Sequence, residues 1–224
     1  MLKKYHREKS YIPLKSEKGF SIIELLVAMA ISLVVLASVY SVFRSQQKST
    51  LVREQINMMQ QNIRAGMTVM TRDIRMAGYV HPTVSATPGI VGATATELEF
   101  TRLKDDNTLP LQKIKYSLSN GNLIRNVANE DGTDEKNQII AEDIDLLDFV
   151  YLDVDGEQTT VFDEIRSVQV TMIAKTGRGD PGYKDTNTYE NQKGPLVQAN
   201  FNNPPNDNFR RRMLTREIYC RNLF

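Results

Sequence analysis

The chain contains little cysteine and histidine, and each scarcity excludes a class of protein. Cys220 is its only cysteine, so no intramolecular disulfide can form and packing must hold the fold. This residue could join two subunits, or it could be a small apolar side chain in a C-terminal strand. The two histidines form no metal-spaced cluster, and no phosphate-binding glycine loop is present. These absences predict that the protein is not an enzyme and needs no cofactor.

Proline and glycine are absent between Phe20 and Gly66, an interval that begins with a long apolar run. A membrane-spanning helix needs roughly 20 mostly apolar residues, and residues 20–43 supply them with Glu24 as their only acidic or basic side chain. A carboxylate in such a helix is costly, so it indicates a functional residue with a partner. The alternative is that Glu24 lies at the membrane interface and is tolerated there.

Residues 1–19 carry six basic side chains against two acidic ones. Such a basic flank stays in the cytoplasm, which predicts a single-pass protein with its N-terminus inside and its bulk outside. An ordinary secretory signal places its apolar region before the cleavage site. Here Gly19 precedes the apolar run instead, so the helix would survive processing.

The junction Lys18-Gly19-Phe20-Ser21-Ile22-Ile23-Glu24 resembles the leader junction of the type IV pilins and type II secretion pseudopilins. The resemblance implies that a prepilin peptidase and methyltransferase removes a cytoplasmic leader, residues 1–19, by cutting between Gly19 and Phe20. It also implies N-methylation of Phe20 and pairing of Glu24 with the Phe20 amine of a neighbouring subunit. Leader removal takes six of the 28 basic and two of the 27 acidic residues, leaving a net charge of −3. This balance argues against nucleic-acid binding.

The helical pattern continues through residues 44–77, where apolar positions recur at steps of three and four. This spacing predicts an amphipathic half of the same helix, ended by Gly78 and Pro82. The apolar positions are Val52, Ile56, Met59, Ile63, Met67, Met70 and Ile74.

Residues 78–224 change to an alternating pattern, which predicts a β-rich domain outside the cytoplasm and an α+β, pilin-like fold with a mainly antiparallel sheet. A loop is predicted over residues 81–96, and Asn120-Gly121 predicts a hairpin. The segment 177–208 is predicted to be an exposed, partly mobile loop, with a packed lid as the alternative. The predicted strands cover residues 97–103, 114–118, 123–124, 146–152, 165–174 and 213–221.

A second resemblance, to PilW-type minor pilins and the related J-type minor pseudopilins, rests on the segments 70–79, 151–156, 166–170 and Arg221-Asn222. The sequence departs from that family at Tyr219-Cys220. The resemblance implies a minor subunit that initiates, primes or caps a type IV pilus, with major and minor pilins and the inner membrane as partners and no small-molecule substrate. A type II secretion pseudopilin is the first alternative, and an uncleaved membrane-anchored binding module is the second.

Two charged clusters leave alternatives open. Asp153, Asp155 and Glu157 alternate beside Gly156 and could bind calcium or form a solvated acidic turn. Arginines near the C-terminus could bind DNA during uptake, or could cover a solvent face or strand edge. These arginines are Arg210, Arg211, Arg212 and Arg216.

Overall fold

The computed structural model describes residues 19–104 and 108–223, and the chain divides into two units between residues 49 and 50. The described residues form one α-helix, α1 (Ile22–Arg75), followed by ten strands. The strands are β1 (Ile90–Ala93), β2 (Leu98–Arg102), β3 (Gln112–Ser119), β4 (Asn122–Asn129), β5 (Lys136–Ala141), β6 (Ile144–Leu152), β7 (Ser167–Lys175), β8 (Glu190–Asn191), β9 (Gly194–Pro195) and β10 (Arg211–Tyr219).

All strand pairs are antiparallel, and they form three sheets within the described residues. The strand orders are β1-β2-β3-β4-β5, β10-β7-β6 and β8-β9. Strand β10 pairs with β7 from Arg211 opposite Lys175 to Tyr219 opposite Ser167. This arrangement of one long helix and antiparallel sheets confirms the predicted α+β class with a mainly antiparallel sheet.

The C-terminal half of α1 buries the predicted apolar stripe from Met59 to Ile74, whereas Val52 and Ile56 are only partly buried. The buried positions join residues of both larger sheets in one core. Gly66 permits the close approach, because a Cβ there would lie 3.1 Å from the Ala141 Cβ and 3.2 Å from a Leu123 methyl group. The amphipathic helix is thus one wall of the domain core.

The end of α1 requires glycine for two reasons. Gly78 has φ +77°, the left-handed conformation that commonly follows a helix C-terminus. A Cβ at this position would also lie 2.5 Å from a Leu223 methyl group and 2.8 Å from the Asn222 carbonyl oxygen. The C-terminal segment therefore packs directly on the turn that ends the helix.

Strong local signals placed most strands correctly. Asn120 and Gly121 have φ 51° and 76° and join β3 to β4 in a two-residue turn, as predicted. Four strands were missed, and two of them, β8 and β9, lie in the predicted loop 177–208. Strand β1 lies in the predicted loop 81–96, and β5 lies in an acidic stretch whose first four strand residues are exposed. Cys220 follows β10 rather than lying within it.

The segment predicted as an exposed, partly mobile loop, residues 177–208, is anchored in its central part, residues 185–207, here called the covering segment, where twelve of 23 residues are exposed and four are buried. Tyr189, Leu196 and Phe201 are buried and form a second apolar cluster with Leu146 and Ile173 of β6 and β7. The covering segment also contains β8 and β9. The three-stranded sheet is consequently covered on both faces, by α1 on one side and by the covering segment on the other.

Candidate processing and assembly site

The N-terminus of α1 is closed by a reciprocal pair of hydrogen bonds between Ser21 and the first helical turn. The Ser21 hydroxyl accepts the Ile23 N–H at 3.4 Å, and the Glu24 Oε2 accepts the Ser21 N–H at 3.0 Å. This is a capping box, in which serine at the N-cap and glutamate three residues later satisfy helix N–H groups. The spacing Ser21-x-x-Glu24 was a sequence signal for it, but sequence reasoning considered only the charge of Glu24.

The predicted cleavage point lies next to this cap. Gly19 and Phe20 precede the helix, which begins at Ile22. Residues 1–18, most of the predicted leader, lie outside the described residues. A cut between Gly19 and Phe20 would therefore fall in non-helical backbone and leave Ser21 and Glu24 in place.

The first part of α1 presents its apolar side chains to the surroundings on every face. Residues 19–51 are all exposed, and beyond the first turn the backbone N–H groups of residues 22–43 are bonded within the helix. The Ser32 and Ser38 hydroxyls donate to the Ala28 and Val34 carbonyl oxygens at 2.7 and 2.9 Å. Among the described residues, α1 is the one helix long and apolar enough to cross a membrane. A helix that is apolar all round needs lipid or other helices around it.

A buried charged group fixes the second half of α1 to the five-stranded sheet. Asp73 is about 1% exposed, and its Oδ2 accepts hydrogen bonds from the Tyr116 hydroxyl at 2.7 Å and from the Arg125 Nε at 2.6 Å. Burial, together with the Asp73 charge, raises the pKa of Tyr116 well above its ordinary value. Sequence reasoning counted Met70 to Tyr79 as a resemblance and missed this contact, because the partners lie 43 and 52 residues further along the chain.

A second buried ion cluster fixes the covering segment to β10. The Arg211 side chain is 4% exposed, and its guanidinium lies 2.6 Å from Asp145, 3.3 Å from Asp185 and 2.6 Å from Asp207. The hydrogen bond from Arg211 lowers the pKa of Asp207. The prediction that the C-terminal arginines cover a solvent face or edge is therefore wrong for Arg211.

The four arginines considered for DNA binding divide into two groups. Arg210 pairs with Asp180 at 2.8 Å and stacks on the Tyr183 ring, and Arg211 is buried, whereas Arg212 and Arg216 are exposed. Carboxylates neutralise Arg210 and Arg211, so the four arginines do not form one continuous positive surface that could bind nucleic acid.

The candidate calcium residues form a self-contained turn. The Asp153 Oδ1 accepts the N–H groups of Asp155 and Glu157, each at 2.9 Å, and Gly156 has φ +81°. Within residues 19–104 and 108–223, no group of three or more His, Cys, Asp or Glu side chains is placed to hold a metal ion. The geometry at this position is that of the acidic-turn alternative.

Cys220 is 2% exposed and packs in the main core. Burial raises the pKa of its thiol to about 12. Its surroundings match the predicted role of a small apolar side chain and leave the thiol inaccessible for joining two subunits.

Comparison with known proteins agrees with these observations. Residues 14–40 match the model of the prokaryotic N-terminal methylation motif. A type IV-like pilin from Thermus thermophilus has a similar fold, with a TM-score of 0.53 and 14% identity over 73% of this chain and 96% of that one. No curated protein matches the sequence significantly.

The motif and the fold together support the type IV pilin and pseudopilin family. At 14% identity the structural likeness establishes the fold alone, while the motif implies a substrate of a prepilin peptidase that has pilin partners. The apolar helix suggests membrane anchoring. A structural subunit of the pilin type is the function that these findings support.

Proposed function

We propose that this protein is a minor pilin-like subunit that takes part in initiating, priming or capping a type IV pilus. The observation that carries the proposal is the position of Glu24, the only acidic or basic side chain in the apolar residues 20–43, in the first turn of α1, whose residues up to 51 are all exposed. The prepilin-like junction and the fold support the same assignment. The PilW-type segments favour a minor subunit over a major one.

The mechanism follows from the geometry of the capping box. Glu24 uses Oε2 to accept the Ser21 N–H, while its Oε1 has no hydrogen bond within the described residues. Cleavage after Gly19 would create an ammonium group on Phe20. A carboxylate held in apolar surroundings needs a counter-ion, and the Phe20 ammonium of a neighbouring subunit would provide one at Oε1 while the cap remains formed.

Membrane orientation is part of the proposal. The basic residues 1–19 would hold the N-terminus in the cytoplasm until cleavage, with residues 78–224 in the periplasm. The apolar part of α1 would then leave the bilayer by packing against the corresponding helices of other subunits. This transfer exchanges lipid for protein around the same apolar surface.

The first test is mass spectrometry of the N-terminus from membranes of cells with and without a prepilin peptidase. The proposal expects an N-methylated Phe20 terminus only where the peptidase is present. An intact leader in both would contradict it and favour the uncleaved membrane-anchored binding module.

A second test separates the charge of Glu24 from its role as a cap. Glu24→Gln retains an oxygen acceptor for the Ser21 N–H, because glutamine also serves in a capping box, but it cannot form an ion pair. We expect Glu24→Gln to be processed normally and to be lost from sheared filaments, as Glu24→Leu should be. Glu54→Gln, at an exposed position of the same helix, is the control. Normal incorporation of Glu24→Gln would refute the ion-pair mechanism.

The alternative is a minor pseudopilin of type II secretion, which would use the same processing and the same helix. Deleting the gene separates the two assignments. Loss of surface pili with normal secretion supports the pilus assignment, and loss of secretion with normal pili supports the pseudopilin.

A further inference from the structure

Four arginines converge on a groove between the end of α1 and the C-terminal segment. The groove has a volume of about 490 Å³, and no carboxylate lines it. We call it the arginine groove. Its lining residues are Thr68, Thr71, Arg72, Arg75, Met76, Arg216, Arg221 and Asn222.

The groove is held in shape by contacts between its two walls. The Arg216 Nη1 donates to the Thr71 Oγ1 at 3.5 Å, and the Asn222 Nδ2 donates to the Arg75 carbonyl oxygen at 3.1 Å. Arg216 lies on β10 and Arg221 follows it, so their positions depend on the same sheet that packs against α1.

The positive charge of the groove is largely uncompensated. Arg72 is 76% exposed and lies 3.6 Å from Asp73, whose carboxylate already binds Tyr116 and Arg125. Within residues 19–104 and 108–223, the other three arginines have no carboxylate within ion-pair distance. Basic residues in the last helical turn complement the helix dipole, and this effect explains the presence of Arg72 and Arg75. It does not explain Arg216 and Arg221, which lie on β10 and after it.

The same domain carries a patch of opposite charge on a different element. The turn between β4 and β5, residues 130–135, contains four exposed carboxylates, and we call it the acidic hairpin. Their side-chain hydrogen bonds come from uncharged groups: Asp131 accepts one from the Thr133 hydroxyl, and Asp134 accepts one from the Asn129 amide. Its acidic residues are Glu130, Asp131, Asp134 and Glu135.

We propose that the arginine groove of one copy of this protein binds the acidic hairpin of a second copy. The groove offers four guanidinium groups and the hairpin four carboxylates, so the two patches are complementary in charge. A contact between two different patches is heterologous and joins two copies head to tail. The inference rests on the proposed function and adds to it a specific contact between subunits.

Paired charge reversals test the contact in the full chain, purified in detergent and examined by sedimentation at low salt. The groove variant carries Arg72→Glu and Arg216→Glu, and the hairpin variant carries Glu130→Lys and Glu135→Lys. Each variant alone lowers the net charge of one patch from four to zero and places two like charges against its partner, so we expect self-association at least about tenfold weaker than in the wild type. In an equimolar mixture the unchanged hairpin of the groove variant meets the unchanged groove of the hairpin variant, so pairwise association should return.

Matched reversals at Arg64 and Glu157, which are exposed outside both patches, should leave association unchanged. Failure of the mixture to recover, or a wild-type chain that does not self-associate, would overturn the proposal. Duplex DNA retained by the wild type and lost in the groove variant, without self-association, would also overturn it by assigning the groove to nucleic acid. Cleavage after Gly19 is measured separately from association. A groove variant that is cleaved and still associates refutes only the contact between groove and hairpin. A wild-type chain that is not cleaved refutes the proposed function.

Discussion

Replacing Arg211 with methionine would remove the cation at the centre of the contact between the covering segment and β10. Methionine retains most of the side-chain length but none of the five N–H donors. Asp145 would keep Lys175, whose Nζ lies 2.6 Å away. Asp185 and Asp207 would lose their arginine, and Asp185 is fully buried.

The expected cost follows from that burial. Removing one partner of a buried ion pair leaves an uncompensated charge and costs about 3–5 kcal/mol. For a domain of this size each kcal/mol corresponds to about 2–4 °C, so the melting temperature should fall by about 6–20 °C. The loss should begin with the covering segment, because the remaining bonds of Asp185 are made within it, to Asn187 and Tyr189.

Cys220 provides the assay, since it is the only cysteine in the chain and is 2% exposed. The fraction of chains labelled by a thiol reagent in a short pulse, measured against urea concentration in detergent, reports unfolding of the domain. Arg212→Met, one residue along the same strand and exposed, is the control and should change stability by no more than about 0.5 kcal/mol. Adding Asp185→Asn to Arg211→Met should recover part of the loss, because it removes the buried charge.

The reasoning would be refuted by a loss below about 1 kcal/mol for Arg211→Met, which is the range of exposed ion pairs. An equal loss in the Arg212→Met control would refute it too, because the effect would then belong to the strand rather than to the buried cluster.

Three further predictions use the same labelling assay. Asp73→Asn keeps the size of the side chain but removes a buried charge that accepts two hydrogen bonds, and should cost about 1–3 kcal/mol; an unchanged midpoint would contradict the anchoring role. Gly78→Ala combines a positive φ with a steric clash and should lower the free energy of unfolding by more than about 1 kcal/mol. The control is Gly132→Ala, where φ is +83° but the space is open, and it should lower the free energy of unfolding by less. Equal losses of stability in the two variants would show that the packing of the C-terminal segment does not matter. Burial raises the folded-state pKa of Tyr116 and Tyr151 above the unfolded value of 10.0. The contribution of these two tyrosines to the stability of the fold is therefore complete below about pH 10 and is lost as the pH rises further. Equal stability at about pH 9 and pH 11 would contradict this prediction.

The parts of the fold that sequence reasoning found are those specified by neighbouring residues. The stripe from Met59 to Ile74 repeats at helical spacing, and Asn120-Gly121 can adopt the positive φ values of a two-residue hairpin turn. Both signals act over a few residues, so they need no knowledge of the rest of the chain. Strands β1 and β5 have weak sequence patterns, because β1 is short and β5 is mostly exposed. They were missed because their positions depend on pairing with neighbouring strands rather than on their own residues.

The candidate site was predicted only in part, for a related reason. The prepilin-like junction is contiguous, so Gly19, Phe20 and Glu24 could be identified as candidates. Arg211, by contrast, meets carboxylates 4, 26 and 66 residues away, and no local pattern distinguishes it from an exposed arginine.

One neglected signal would have corrected the prediction for the long loop. Residues 146–152 of β6 are nearly all apolar and all buried, whereas a strand with one face in water alternates. Such a run indicates that something covers both faces of the sheet. The covering segment was the long unassigned stretch that remained to do so.

The covering segment has a consequence for any partner that meets this side of the domain. Its conformation is set by its own apolar cluster and by the Arg211 contacts, both present in the single chain. A partner would therefore encounter a preformed surface and would pay little conformational entropy to order it. Recognition there would depend on shape complementarity, and substitutions beneath the surface would weaken binding by loosening the segment without touching the partner.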